Sequence, residues 1–148
     1  MTRKQIEQMP AGLEMDWLIA TEIFKALKPT PEQVEMIRII SIHFGHGNPQ
    51  DKWHETVLIR DLPEKNYFGV SFEFVQPQRY STDIAAAWLV VEKLIECKVY
   101  LARGNPAERA VGWICTLDGS SNNVSARADT VSLAVCRAAL IATLENKQ

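Results

Sequence analysis

From Ser81 to Glu145 the spacing of apolar residues changes twice, from a helical period to a period of two and back. STDIAAAWLVVEKLIEC opens on Ser81 and Thr82, either able to cap a helix, with Asp83 at the positive end. It then sets Ile84, Trp88, Val91 and Ile95 on one stripe. Three runs at strand spacing follow, Lys98–Arg103, Val111–Leu117 and Asn123–Ala128, separated by the turn sequences GNPAERA and DGSSNN. Asp129-Thr130 then caps a last helix to about Glu145. A helix, three consecutive strands and a helix point to an α+β domain, with Trp88 and Leu140 buried where the helices meet the sheet.

Upstream, PAGLEMDWLIATEIFKALK repeats Leu13, Trp17, Ala20 and Phe24 at three- and four-residue steps and reads as a helix ended by Lys28-Pro29. Pro10 suits a first helical turn, which leaves Met1–Met9 as a separate short turn or helix. Thr30 and Gln33 spell a capping box, and EMIRIISIHF suits a helix through about Ile40, although its isoleucines also suit a strand. Residues 43–55, HFGHGNPQDKWHE, read as a loop. Beyond them Val57 and Ile59, then Val70, Phe72 and Phe74, alternate with polar neighbours as two strands joined around Pro63–Asn66. No repeat, low-complexity tract or linker interrupts the 148 residues, so residues 1–148 are read as one domain. The expected architecture is a three-layer α/β/α sandwich. Its sheet of about five mostly antiparallel strands carries helices on both faces.

Composition removes several function classes. A net charge of -2 argues against binding nucleic acid through bulk electrostatics. No apolar run reaches the roughly 18 residues of a membrane span, and MTRKQIEQMP lacks the apolar core of a secretory signal. The odd count of three cysteines, Cys97, Cys115 and Cys136, each in an apolar segment, fits reduced thiols and a cytoplasmic location. Helix–three strands–helix is also the order of a double-stranded-RNA-binding domain, but the last helix carries no lysine before Lys147 to reach phosphates.

Reactive constellations are equally sparse. His43, His46, Asp51 and His54 are zinc-type ligands within twelve residues, yet no cysteine has a CxxC partner, and solvated loop histidines are the expectation. Neither a GxSxG elbow nor a GxGxxG or GxxxxGK[ST] phosphate loop occurs. The reading is therefore a non-enzymatic protein with no catalytic residue, metal or cofactor.

What remains is a set of arginines and hydroxyls near helix starts. VSLAVCRAALIATL, residues 131–144, has a single charge, Arg137. On a helical wheel Arg137 falls about 40° from Leu133 and about 40° from Ile141, inside the apolar stripe. There it must snorkel, pair with a carboxylate such as Asp83, Glu92 or Asp129, or meet an external anion with its planar fork. Arg79, Tyr80, Ser81 and Thr82 read either as a cap with a hydrophobic staple or as a phosphate cradle at a helix N-terminus. Arg127 and Thr130 repeat the theme at the last helix.

PAGLEMDWLIA, RYSTDIAAAWLVVEKL, GWIC and ARADTVSLAVCRAALIATLE together resemble the phage ABA-sandwich domain family, over nearly the whole chain and least between Pro29 and Phe74. The resemblance implies a small phage or prophage protein with helices on both sides of a sheet. At the level of class it is also similar to the Thoeris anti-defence sponges, which sequester cyclic ADP-ribose signals and some cyclic oligonucleotides without catalysis, often as oligomers. The expectation is a homo-oligomeric protein that sequesters a small anionic nucleotide signal, with Arg79, Tyr80, Ser81, Thr82, Arg127, Thr130 and Arg137 as ligand-binding residues. The alternatives are a phage interaction or assembly factor with an exposed apolar face and, after it, an RNA-binding module.

Overall fold

The computed structural model describes residues 1–43, 53–94, 97–105, 112–119 and 123–146. The chain forms two compact units, one from Met1–Lys25 with Gln78–Gln148 and the other from Ala26–Pro77.

The first unit holds α1 (Arg3–Gln8), α2 (Leu13–Glu22), α4 (Ile84–Lys93), β3 (Lys98–Arg103), β4 (Trp113–Asp118), β5 (Asn123–Ala128) and α5 (Val131–Glu145). The three strands make an antiparallel sheet in the order β3–β4–β5. α5 is its hub, packing on β4 and β5 and receiving α1, α2 and α4. The sequence explains this: Ala134, Cys136, Ala138 and Ala139 are small enough to let neighbours approach from several sides, and all four are fully buried. One sheet face, made of Cys115, Leu117, Val124, Ala126 and Ala128, is buried as well. On the opposite face Tyr100, Ser125 and Arg127 are exposed.

The second unit holds α3 (Pro31–His43), a 3-10 turn (Trp53–Thr56), β1 (Leu58–Asp61) and β2 (Phe72–Val75). Thr30 and Gln33 form the capping box read from the sequence, Oγ1 accepting from the Gln33 N–H at 3.2 Å and Oε1 from the Thr30 N–H at 2.9 Å. β1 and β2 pair antiparallel, and Ile59, Val70 and Phe72 form a small core with Ile37, Ile40 and Phe74 packed on it. The α+β class therefore holds, but the described strands form sheets of three and two, not one of five. β1 and β2 are only four residues long and spend their apolar side chains on this local core.

Two helical stripes are placed differently from the sequence expectation. In α4 the buried residues are Ala86, Ala87 and Val90, whereas Ile84 is 54% and Trp88 50% exposed. α4 meets α5 through small residues on both sides, and an interface that close has no room for an indole. In α2 the buried apolar residues are Met15, Ile19 and Ala20, with Leu13 exposed. The cap of α4 also moves: Asp83, not Ser81 or Thr82, is the N-cap, its Oδ1 accepting from the Ala85 N–H at 2.8 Å. Ile95 lies outside the described residues.

A close approach fixes Gly112 in front of β4. Its φ is +111°, and a Cβ there would stand 2.5 Å from the Ala128 carbonyl oxygen, which belongs to backbone and cannot swing aside.

Candidate functional site

The sequence-derived residues fall into two places. The first is the turn before α4. Tyr80 is buried and stacks on Phe24, ring centroids 5.1 Å apart and planes 14° from parallel. Burial raises its phenol above the ordinary range, with Asp16 and then Cys136 adding to the effect. Ser81 has no exposed surface. Its N–H donates to Asp16 Oδ1 at 2.7 Å, and its Oγ accepts from the Gly12 N–H at 2.9 Å. Asp16 is itself buried in α2, so this pair locks the start of α2 to the turn. Arg79 and Thr82 are exposed, and the Arg79 carbonyl accepts from the N–H groups of Thr82 and Asp83. With the Asp83 carboxylate on the first helical turn, an anion has little to gain there. Tyr80 and Ser81 are thus packing and locking groups.

The second place is where β5 turns into α5. Thr130 caps α5, its Oγ1 accepting from the Leu133 N–H at 3.3 Å. About two turns past this cap, Arg137 leaves the core between fully buried Cys136 and Ala138. Its Nη1 donates to the Arg127 carbonyl and its Nη2 to the Met9 carbonyl, both at 2.7 Å. The guanidinium therefore ties the segment after α1 to the end of β5 through main-chain oxygens. Its Nε is buried and has no hydrogen-bond partner. Burial lowers its pKa from the usual value, opposed by Asp129 and then Glu7, and an arginine so placed stays charged.

Around this anchor lies a groove of about 550 Å3 lined by Glu7, Ile114, Ser125, Ala126, Arg127 and Arg137. Its volume falls within the range of small-molecule sites. The side chain of Arg127 is exposed at the rim. Arg3 pins α1 beside it, its Nη2 donating to the Ser125 carbonyl at 3.1 Å and its guanidinium pairing with Glu7 at 2.9 Å and Glu145 at 3.1 Å. The Glu7 hydrogen bond is the leading cause of a raised Arg3 pKa. Of the residues singled out in the sequence, Arg127 and Arg137 line the groove; Arg79, Tyr80, Ser81, Thr82 and Thr130 do not. Glu7, Ile114, Ser125 and Ala126 were missed. MTRKQIEQ reads as an ordinary solvated helix, and no local signal says which strand it will sit beside.

Other chemistry has little support among the described residues. No group of three His, Cys, Asp or Glu is placed to hold a metal ion. His46 and Asp51 of the histidine-rich loop lie outside those residues. The cysteines are free, Cys97 half-buried and the other two buried. Burial pushes the Cys115 thiol up to about 11, and Cys136 higher still, with Asp16 and Cys115 adding to its burial. A nucleophile needs a thiolate, and these thiols hold their protons. Among the described residues no helix is long and apolar enough to cross a membrane.

A family model described as the phage ABA sandwich domain matches residues 17–140. The crystal structure of a phage protein from Bacillus cereus ATCC 14579 superposes with a TM-score of 0.52, covering 90% of this chain and 91% of that one at 19% identity. That likeness speaks to fold alone. No curated protein matches the chain.

Proposed function

The chain belongs to the phage ABA sandwich domain family, and from that premise we propose that it is a non-catalytic phage protein that captures a small anionic ligand of the nucleotide class in the groove between α1, β5 and α5. Sequestering such a ligand would counter a host defence that signals through it. The observation that carries this reading is the pairing of an exposed Arg127 with the charged base of Arg137 in a cavity of nucleotide size. Arg127 supplies the free planar fork for a phosphate. Arg137 has both terminal nitrogens committed to carbonyls and contributes positive charge and a fixed wall. Glu7, which also lines the groove and already accepts from Arg3, can accept a further hydrogen bond, which suits a sugar hydroxyl and opposes a bare inorganic anion. The protonated, buried thiols agree with binding rather than turnover.

The test is mass spectrometry of the small-molecule fraction released by heat after the protein is mixed with cyclic ADP-ribose, ADP-ribose, AMP and cyclic dinucleotides. Recovery of one unaltered compound is the expected result. Conversion of a compound would replace the reading with an enzymatic one. An empty fraction would favour the second reading, a protein-interaction factor, for which the exposed Ile84, Trp88 and Leu89 of α4 speak.

A further inference from the structure

β3 is an outer strand. Among the described residues it pairs only with β4, in an unbroken register from Lys98↔Asp118 to Arg103↔Trp113. Its six residues, KVYLAR, are mostly exposed, Tyr100 at 54% and Leu101 at 38%. An outer strand points alternate N–H and C=O groups away from its sheet, where they can template another strand. Natural edges are commonly blunted by proline, a bulge or a central charge. β3 has none of these between its ends, and Lys98 at one end faces Asp118 across the sheet.

We infer that β3 pairs antiparallel with β3 of a second copy, about a two-fold axis through Tyr100. The sequence of the strand selects this partner and this register. Three alignments keep nearly the whole strand engaged. Pairing all six residues would set Lys98, on the face of Tyr100, against Arg103, on the other face, and residues directly opposite in an antiparallel ladder share a face, so the pleat excludes it. Centring on Leu101 sets charged Arg103 against apolar Val99 and Tyr100 against Ala102, which leaves Val99 and the tyrosine ring without matching neighbours. Centring on Tyr100 sets Tyr100 against Tyr100 on the open face, Val99 against Leu101 on the covered face, and Lys98 against Ala102. No charge then opposes a like charge, and Leu101, in register with buried Cys115, gains the neighbour it lacks. The product is one six-stranded sheet with an α5 from each copy on the same face. The inference rests on the strand edge and is independent of the groove.

Facing residues in such a ladder have Cα atoms about 4.5–5.5 Å apart, within disulfide reach. The test therefore places Tyr100→Cys in a Cys97→Ser chain, with Ala102→Cys as the control; Cys115 and Cys136 are buried and silent. The control residues would be shifted by four positions, about 13 Å, and cannot bridge. Mild oxidation should give a disulfide-linked dimer with Tyr100→Cys and not with Ala102→Cys. Sedimentation of the unmodified chain at about 200 µM should show dimer, since a strand pairing of this length is a small, micromolar interface. Leu101→Lys, checked for an unchanged melt, should weaken association at least about tenfold. A monomer at that concentration, equal cross-linking of the two cysteine variants, or no cross-linking would overturn the proposal. Should Leu101→Lys fail to fold, the cysteine pair decides alone.

Discussion

Replacing Arg137 by methionine isolates what its guanidinium does, because the side chain keeps much of its length and loses all of its donors. Two hydrogen bonds to carbonyls disappear, at the Arg127 and Met9 oxygens. Bonds from a charged donor contribute about 1.5–3 kcal/mol each, so the gross loss is ~3–6 kcal/mol. The buried, unpartnered Nε–H is removed as well, which returns about 1–3 kcal/mol of desolvation. The net expectation is a loss of about 2–3 kcal/mol. With a urea m-value of about 2 kcal/mol/M, the midpoint falls by roughly 1–1.5 M and m stays constant. Hydrogen exchange supplies a local readout: amides of α1 should lose protection disproportionately, because Met9 is its C-cap and Arg137 holds that carbonyl. Arg137→Lys, with one ammonium for two carbonyls, should lie between the parent and the methionine variant. A methionine variant as stable as the parent, with α1 exchange unchanged, would refute the tether.

Three further outcomes follow from the packing. Trp88→Ala should cost less than about 1.5 kcal/mol, and Leu140→Ala about 2–5 kcal/mol, because the tryptophan is half exposed and the leucine is fully packed; urea midpoints of both variants check the inverted stripe. Gly112→Ala should destabilise by several kcal/mol, on the order of 2–4, since both its φ and the Ala128 carbonyl exclude a methyl group, and a thermal melt reads this directly. In the folded protein at pH 8 an alkylating reagent should modify Cys97 alone, and all three thiols after denaturation. The buried thiol of Cys115 gives a pH dependence. Cys115 holds its proton to about 11 when folded, whereas an unfolded thiol ionises near ~8.5–9. The folded state then binds more protons between those values, so stability is full below that lower limit and falls as pH rises toward 11.

Much of the local structure was legible in the sequence. Lys98–Arg103 and Asn123–Ala128 are strands at the residues their alternation marks, and Thr30 and Gln33 close the capping box that their spacing spells. Both depend on neighbours in the chain. Burial of α4 does not: its stripe of Ile84, Trp88 and Val91 is more apolar than Ala86, Ala87 and Val90, and hydrophobicity alone chooses the wrong face. The decisive term is how closely α5 comes, set by alanines some fifty residues away. The grouping of strands was hidden for the same reason. Nothing in β1 or β2 says whether its partner is the other strands or the isoleucines of α3. At the groove, Arg137 could be recognised as an oddity within an apolar stripe. Its partners could not, because a backbone carbonyl at Met9 looks like every other carbonyl in a sequence.

Titration calorimetry of Arg127→Gln beside the parent chain bears most directly on the groove, because Arg127 is exposed and its replacement leaves the Arg127 carbonyl bond to Arg137 in place. Cyclic ADP-ribose and a cyclic dinucleotide serve as probes. At least one is expected to bind the parent with a Kd below about 10 µM, and to bind the variant at least about tenfold more weakly, a loss of ~1.4 kcal/mol, at an unchanged urea midpoint. No heat with either probe, or equal affinity for the two proteins, would contradict it.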